Sequence, residues 1–398
     1  MKKNINNKLI LYLSSLLLFS IFFLYIKYPV ANDSTISEWF INYEGGFTKR
    51  GLIGQIAIYF SRLFDAELRF VIYLLQISAC LVYFVLLFSL FKNKYFNRVM
   101  LLAIFTPIFI LYPVAEIEVL ARKEIIVFSI YISYLFIPKD NILKNFSLMI
   151  FFLLAILIWE PTVFFVPIIL LLEIIENNIK RINLILLKIS MLIPGILIGL
   201  YFVFNPISAE GHDVMRLTLK NEFNENCYMS CALLKSKSTI LQQFEQYKVY
   251  TFETTFRYIL IIIIGFLPIF LLLKNSIATN KNILFLKKFK NLLSPVLLCL
   301  SPVIILFAMG YDWGRWVNIS YVFTAIFYFY LFKNNLIKLN SKLNDHFLNK
   351  IDKKFFIVLF ILFCFGWNQK TSITGDVASF PGYRIPYKTL SYFIRGHL

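Results

Sequence analysis

Long apolar runs alternate with short polar connections along the whole chain. Eleven of the runs have the composition of membrane-crossing helices, although several are shorter than the roughly twenty residues that a straight crossing needs. We therefore predict an all-α, polytopic membrane bundle that forms a single domain over residues 1–398. The predicted spans are residues 9–27, 68–91, 99–114, 123–138, 146–159, 161–175, 183–204, 256–273, 292–309, 318–333 and 354–369.

The polar connections are of two alternating kinds. One kind is short and basic, and the other mixes acidic and basic residues with Gly and Trp. Placed on opposite faces, the first kind holds 22 Lys and Arg with 5 Asp and Glu, and the second holds 18 with 17, which together account for all 40 basic and 22 acidic residues. Because basic loops stay in the cytoplasm, this asymmetry predicts a cytoplasmic N-terminus and a mixed-charge outer face.

Composition supports this interpretation. The chain is 59% hydrophobic and carries a net charge of +18. Such a charge can mark a nucleic-acid-binding protein, but nearly all of the excess lies in the predicted cytoplasmic loops. We therefore predict no nucleic-acid partner and a lipid bilayer as the surroundings. The first apolar run is long and lacks a good small-residue cleavage pattern, which favours an uncleaved span over a signal peptide.

Several predicted spans are short or broken on the outer side. The pair 146–159 and 161–175 is interrupted by Trp159-Glu160-Pro161. Broken membrane helices persist where protein or a water-filled cavity satisfies their backbone, so we expect a hollow in the outer half of the bundle. The mixed polar and apolar pattern of residues 51–64 predicts a helix that lies along the membrane interface. The large outer loop, residues 205–255, contains a helical pattern at 230–249 that would suit a lid.

The five cysteines divide by position. Cys80, Cys299 and Cys364 lie in apolar runs and are expected to pack as small hydrophobic side chains. Cys227 and Cys231 lie in the large outer loop, where an oxidising compartment favours a local disulfide. The alternative is a metal pair, but His212 is the only nearby histidine, which leaves too few ligands for a closed zinc site. We predict no metal centre.

The first outer connection contains Glu44-Gly-Gly-Phe-Thr-Lys-Arg-Gly51. Its glycines permit close approach of the backbone to a ligand, and the adjacent Lys49 and Arg50 suit a phosphate. Either Asp33, Glu38 or Glu44 could accept a proton. The alternative is an interfacial turn whose basic side chains reach lipid headgroups. For Lys49 alone that alternative is favoured, and for the whole segment function is favoured.

A second charged segment contains Glu116, Glu118, Arg122, Lys123 and Glu124 between two short apolar runs. Glu118 and Arg122 are four residues apart, so they can pair on one helical face. Charges at membrane depth usually face a cavity or one another and mark a site. An exposed turn with a weak surface ion pair is an equally good interpretation.

Three further features are candidates. Glu160 lies at the helix break, where burial would raise the pKa of a carboxyl group and suit acid–base chemistry, although a simple interfacial loop is favoured for the tripeptide alone. The segment Tyr311-Asp312-Trp313-Gly314-Arg315-Trp316 places an acid, a guanidinium and two indoles together, as in carbohydrate sites, although an aromatic belt has the same residues. His212 is a second-rank proton acceptor, because a lone loop histidine is usually solvated.

The sequence patterns of several other enzyme classes are absent. The chain contains no phosphate-binding loop of the Walker type, no dinucleotide fingerprint, no His-Glu-x-x-His segment and no Gly-x-Ser-x-Gly elbow. The predicted spans carry almost no charged residues away from their inner ends, which disfavours an ion-driven transporter.

Three segments resemble a pattern of bacterial surface-glycan membrane proteins. Gly46-Phe47-Thr48-Lys49-Arg50-Gly51 resembles Gly-Phe-x-Arg-Arg-Gly, with Lys49 in place of the first Arg. Arg122-Lys123-Glu124 and Asp312-Trp313-Gly314-Arg315 are similar to its Arg-Lys-Glu and Asp-Trp-Gly-Arg parts. In length, number of spans and large outer loop, the whole chain resembles the O-antigen and capsule polymerases. It departs from them in the mid-chain position and low Arg content of that loop.

This resemblance implies a glycosyltransferase of the bacterial inner membrane that joins oligosaccharide repeat units carried on undecaprenyl diphosphate. It implies the lipid-linked oligosaccharide and a chain-length regulator as partners, and no cofactor, because the lipid diphosphate is already activated. The cations implied for the diphosphate are Lys49, Arg50, Arg122 and Arg315, and the implied bases are Glu44, Glu118, Glu160 and Asp312. Lys123, Trp313 and His212 complete the implied substrate contacts.

Three alternatives stay open. A polyprenyl-phosphate-dependent glycosyltransferase would also place an acid, Asp33 or Glu44, in the first outer connection, and many such enzymes need a divalent cation. A flippase for lipid-linked sugars would predict polar residues through the span centres and small loops on both faces. A non-enzymatic assembly subunit would tolerate alanine at Arg50, Arg122 and Arg315.

Overall fold

A computed structural model shows a helical bundle in which two short antiparallel ribbons are the only strands among the described residues. The residues that it describes are 2–30, 34–115, 119–139, 142–179, 182–232, 234, 245, 251–280, 286–310, 312–340, 347–370 and 378–379. The α-helices are α1 Lys2–Lys27, α2 Ser34–Trp39, α3 Gly51–Phe64, α4 Leu68–Phe91, α5 Arg98–Phe105, α6 Tyr112–Ala115, α7 Glu124–Leu135, α8 Ile142–Ile158, α9 Val166–Glu176, α10 Ile182–Phe204, α11 Ala209–Phe223, α12 Met229–Ala232, α13 Phe252–Lys274, α14 Leu293–Leu300, α15 Ile304–Met309, α16 Trp313–Lys333, α17 Phe347–Lys350 and α18 Lys353–Phe365.

Short elements complete the described chain. A π-helical turn Pro107–Leu111 and 3₁₀ turns Glu160–Phe165, Leu286–Lys288 and Ser301–Val303 interrupt or join the helices. Strand β1, Ser276–Ala278, pairs antiparallel with β2, Ile337–Leu339. Strand β3, Asn368–Gln369, pairs antiparallel with β4, Ala378–Ser379.

Four helices are long and apolar enough to cross a membrane: Asn6–Lys27, Leu68–Phe91, Ile182–Phe204 and Phe252–Lys274. Their outward faces expose large apolar side chains, such as Leu197 and Phe204 on α10. Such surfaces belong in lipid rather than in water. The all-α fold class is confirmed. Span 318–333 lies within the unbroken 21-residue helix α16, and the remaining predicted spans coincide with shorter or broken helices.

Helix α16 is the core of the bundle, since every residue from Gly314 to Leu331 is buried. A helix that is apolar all round must be enclosed by other helices. One of its polar side chains hydrogen-bonds to the backbone of a neighbouring helix. The Asn318 amide donates to the carbonyls of Ile108 at 2.8 Å and Phe109 at 3.2 Å, where the helix Arg98–Ala115 is broken. This satisfies backbone groups freed by the break, as a membrane interior requires.

Residues 208–232 pack against the first polar connection. A Cβ on Gly45 would overlap the carbonyl of Gly211, and a Cβ on Gly211 would overlap the carbonyl of Gly45. Glycine is therefore required at both positions for the two backbones to meet. The predicted disulfide between Cys227 and Cys231 is present. Cys80, Cys299 and Cys364 are buried free thiols, in agreement with the prediction.

The segment 51–64 is a helix, as predicted. Arg50, which precedes it, has φ 62° and ψ 11°, so the chain enters the helix through a left-handed residue. Most of the helical pattern at 230–249 falls outside the described residues, so its prediction as a lid is not tested.

Candidate functional site

Five helix ends converge at one place and bring charged side chains from distant parts of the sequence together. We call this group the Arg50 cluster; its members are Glu38, Lys49, Arg50, Arg122, Lys123, Glu124, Glu160, Asp312 and Arg315. Five of them are basic and four are acidic, so the cluster has a formal excess of one positive charge. Most of the group is buried, which makes unpaired charge costly and an anionic ligand favourable.

Arg50 forms the exposed edge of the cluster, with 21% of its side chain accessible. Its Nε and Nη2 donate to the two Glu160 oxygens at 2.8 and 2.9 Å, and its Nη1 donates to Glu38 Oε1 at 3.2 Å. A guanidinium has five N–H donors, so these contacts leave two donors for a further ligand. The bidentate pair with Glu160 fixes the plane of the guanidinium.

Arg315 lies behind Arg50, in the first turn of α16, where the helix dipole disfavours a cation. Buried carboxylates offset the unfavourable interaction between this cation and the helix dipole. Its Nη2 donates to Glu38 Oε1 at 3.0 Å, and it also pairs with Glu124. Asp312 Oδ2 lies 3.5 Å from Arg315 Nη1 and 3.9 Å from Arg122 Nη1. Glu38 is thus the carboxylate that joins Arg50 to Arg315.

Lys123 holds the backbone of the cluster rather than facing a ligand. Its ammonium donates to the Arg50 carbonyl at 2.6 Å, and the residue is fully buried. Because Arg50 occupies the left-handed region, this contact supports a backbone conformation that non-glycine residues rarely adopt. The Trp39 indole similarly donates to the Ala121 carbonyl at 3.2 Å, which joins α2 to the turn before α7.

Two carboxylate oxygens in the cluster are incompletely paired. Glu38 Oε2 and Glu124 Oε2 are buried and have no hydrogen-bond partner among the residues that the structure describes. Buried polar atoms are nearly always paired, so each exception calls for an explanation. An oxygen in this state can accept a hydrogen bond from a ligand hydroxyl.

The neighbouring cations keep Glu38 and Glu160 ionised. Burial raises the pKa of Glu38, but Arg315, Arg122 and Arg50 outweigh that effect and hold the pKa well below its usual range. Burial likewise raises the pKa of Glu160, and Arg50 and Lys49 lower it below its ordinary value. Both groups are therefore carboxylates at neutral pH, and an anion bound at the arginines would raise both pKa values.

A cavity of about 500 Å³ opens beside Arg50. Three charged lining residues, Lys49, Arg50 and Glu160, lie together, and most of the other lining residues are apolar. The wall residues come from the 3₁₀ turn after the helix break, from α10, from α15 and from the start of α16: Pro161, Val163, Phe164, Ile196, Leu200, Phe202, Val203, Leu306, Met309 and Trp316. A hollow is therefore present beside the Trp159-Glu160-Pro161 break, and its place in the outer half of the bundle stays a prediction.

Most of the site residues predicted from sequence meet in or beside this cluster. Lys49, Arg50 and Glu160 line the cavity. Arg122, Lys123, Asp312 and Arg315 lie behind them. Glu118, with Glu116 and Asp33, lies outside the described residues, so its predicted pair with Arg122 is not tested.

Three predicted residues lie elsewhere. Glu44 accepts two hydrogen bonds from the Arg62 guanidinium at 3.0 Å and one from Gln55 at 2.7 Å. This partly exposed group lies outside the Arg50 cluster. The Trp313 indole donates to the Phe307 carbonyl at 2.7 Å and packs on Tyr258, and it is Trp316 that lines the cavity.

His212 lies beside the disulfide rather than in the Arg50 cluster. Its Nε2 is 3.4 Å from Cys227 Sγ and 3.3 Å from the Cys231 carbonyl. These three side chains are the one group in the described chain whose spacing would suit a metal ion. Both sulfurs are bonded to each other, so neither is available as the thiolate that zinc binds.

The sequence identifies Glu38 only as a proton acceptor, Glu124 only as part of a charged segment, and Trp316 only as one of two indoles in a segment typical of carbohydrate sites. Glu38 was considered as a proton acceptor but not as the junction of two arginines. The usable signal was Arg315, because a cation in a helix's first turn needs buried carboxylates nearby. Which carboxylates supply them depends on tertiary contacts between residues up to 277 positions apart.

No protein-family model matches the chain, and no curated protein or solved structure matches it either. The geometry of the Arg50 cluster and its cavity is accordingly the basis for the functional assignment.

Proposed function

We propose that the protein is a multi-pass glycosyltransferase of the bacterial cytoplasmic membrane that polymerises lipid-linked oligosaccharides on the outer face. Its substrates are repeat units on undecaprenyl diphosphate, destined for O-antigen or capsule. The proposal includes the eleven-span topology, with the N-terminus in the cytoplasm and the Arg50 cluster on the outer side. The charge asymmetry of the loops supports that orientation.

The observation that carries the proposal is the two-sided chemistry of the cavity. One end presents Lys49 and Arg50, which suit a diphosphate. The walls are apolar, and one of them is α10, whose outer face exposes large apolar side chains suited to lipid. A polyprenyl diphosphate has the same division into an anionic head and an apolar chain.

The cluster can stabilise the charge that develops during transfer. The acceptor hydroxyl oxygen attacks the anomeric carbon of the growing chain, and the bond from that carbon to the diphosphate oxygen breaks. The electron pair leaves with the diphosphate, whose negative charge increases. The two unused Arg50 donors and the Lys49 ammonium are positioned to bind it, and preorganised donors of this kind lower the barrier by several kcal/mol, or about 10²–10³-fold per donor.

The proton of the acceptor hydroxyl goes to a carboxylate. Glu160 lines the cavity and is ionised at neutral pH. When a diphosphate binds at Arg50 and Lys49, the cationic field that lowers the pKa of Glu160 weakens, so Glu160 becomes a stronger base while the substrate is bound. Asp312 and Glu38 lie further back, and we assign them to positioning Arg122, Arg50 and Arg315.

A reconstituted assay tests the reaction. Purified protein in lipid nanodiscs receives an undecaprenyl-diphosphate-linked repeat unit, and the saccharide length and the released undecaprenyl diphosphate are measured. The proposal predicts longer saccharides and one lipid diphosphate released per bond formed. Arg50→Gln should reduce the rate at which both products form by about 10²–10³-fold, whereas the matched control Arg62→Gln, outside the cluster, should leave that rate unchanged.

A deletion strain tests the same proposal in the cell. Its surface polysaccharide, separated on a gel, should show a single repeat unit on its acceptor and no ladder. A complete absence of repeat units would instead indicate a flippase or an earlier transferase. An unchanged ladder would contradict any role in polymerisation.

A further inference from the structure

Strand β3 carries two amide side chains with unmet hydrogen-bonding capacity. Asn368 and Gln369 are fully buried, and neither the nitrogen nor the oxygen of either amide has a hydrogen-bond partner among the described residues. A buried amide without partners destabilises the fold, and two adjacent ones are unusual in a folded protein. Their presence indicates that partners arrive with a ligand.

The strand lies against the start of the helix that carries Arg315. A Cβ on Gly314 would overlap the carbonyl of Lys370, the residue after β3, so backbone and helix are in direct contact there. The Tyr258 hydroxyl donates to the same carbonyl at 3.1 Å. Tyr258 in turn packs edge-on against Trp313, with ring centroids 5.5 Å apart.

We propose that Asn368 and Gln369 form a saccharide-binding subsite beside the Arg50 cluster. Amides both donate and accept, which matches sugar hydroxyl and acetamido groups, and they carry no charge that would favour a phosphate. A lipid chain would leave all four polar atoms unpaired. The subsite rests on the proposed function, because it would hold the sugar whose lipid diphosphate occupies the Arg50 cavity.

The ribbon that contains these amides is weakly held in its own right. Strand β3 pairs with β4 over two residues only, Asn368 with Ser379 and Gln369 with Ala378. Two-stranded ribbons of this length have little independent stability. The paired residues of β3 and β4 alone therefore contribute little to holding this ribbon in place.

The test replaces each amide by an apolar side chain of similar size, Asn368→Leu and Gln369→Leu. Because the substitutions remove no hydrogen bond of these amides from the unliganded protein, the Tm of each variant should equal or exceed that of the wild type. Binding is measured with bare undecaprenyl diphosphate and with the same lipid carrying one oligosaccharide unit. The wild type should bind the sugar-bearing lipid at least 10-fold more tightly, and the variants should lose that preference while they keep their affinity for the bare lipid.

Gln55→Leu is the matched control. Gln55 donates to Glu44 at 2.7 Å and accepts from the Tyr43 backbone at 2.8 Å, so its replacement should lower the Tm and leave the sugar preference unchanged. A lower Tm in the β3 variants, or an undiminished preference, would overturn the subsite alone. Failure of the wild type to bind even the bare lipid would overturn the proposed function and the subsite with it.

Discussion

Two of the buried charge clusters among the described residues differ in how completely they are paired. The Glu173 cluster consists of Lys144, Glu173, Glu176 and Lys188 with Tyr134, Asn145, Asn177 and Tyr330. Its two lysines balance its two glutamates, and every carboxylate oxygen has a partner. The Arg50 cluster has an excess positive charge, two unpaired carboxylate oxygens and an adjoining cavity.

The difference separates a structural role from a ligand-binding one. In the Glu173 cluster, Lys144 contacts both oxygens of Glu176 at 2.7 Å, and Lys188 lies 2.6 Å from Glu173. These contacts link α8, α9 and α10 and leave no polar atom of the two pairs for a ligand. A paired, neutral cluster fixes the packing of helices, whereas a charged and incompletely paired one is suited to an incoming anion.

The largest expected effect on stability comes from breaking the Glu173 cluster. Lys144→Met leaves Glu176 buried with one cation fewer, and breaking a buried pair in this way costs about 3–5 kcal/mol. Thermal unfolding in detergent should show a markedly lower Tm, and the fraction that remains folded should keep its specific activity. A Tm close to that of the wild type would mean that the pair is not structural.

The complementary change is made in the Arg50 cluster. Arg50→Gln should reduce the transfer rate by about 10²–10³-fold, the loss typical of removing one transition-state donor. Its Tm should fall less than that of Lys144→Met, because Glu38 keeps Arg315 and Glu160 is partly accessible. Rate and Tm are measured on the same preparation. If Arg50→Gln lost stability and kept its rate, the two clusters would have the opposite roles.

A third variant sharpens the comparison by removing the Lys144–Glu176 pair altogether. Lys144→Met, Glu176→Leu and Tyr330→Phe together leave no buried charge and no unpaired hydroxyl from this group. Replacing a whole ion pair by apolar residues is commonly neutral or stabilising, so the Tm should return to about the wild-type value. The transfer rate should equal that of the wild type. A lost rate at normal Tm would assign this cluster to the reaction.

The smallest effect is a pH dependence. The arginines hold the pKa of Glu38 below its ordinary value of 4.5, so Glu38 contributes stability that is fully present above that pH and is lost as the pH falls below it. Acid unfolding of the wild type should therefore be steeper than that of Glu38→Gln, in which this titration is absent. Equal slopes in the two proteins would contradict the assignment of Glu38 as an ionised junction.

The all-α fold class followed from the sequence because the apolar runs are long, whereas the orientation inferred from the loop charges stays a prediction. The broken helices at Pro107 and Pro161 were foreseen as short or interrupted spans, and the hollow beside Glu160 followed from the second break. Residue propensities could not predict the π-helical turn Pro107–Leu111. The Asn318 amide that hydrogen-bonds to its carbonyls comes from a helix more than 200 residues away in the sequence.

The site was predicted as separate clusters and not as one. Charge spacing identified Arg50, Glu160 and Arg315 singly, because each stands out in an apolar chain. Their mutual contacts depend on which helix ends meet, and nothing in local sequence fixes that. Glu44 illustrates the limit: it resembles a site residue in sequence, yet Arg62 and Gln55 hold it in a different group.

The affinity of the purified protein for undecaprenyl diphosphate tests the central claim most directly. It is measured at one salt concentration for the wild type, for Arg50→Gln and for the triple variant of Lys144, Glu176 and Tyr330. The account predicts that Arg50→Gln weakens binding at least 10-fold and that the triple variant binds like the wild type. Equal affinity in all three proteins would contradict the assignment of the Arg50 cluster as the anion-binding site.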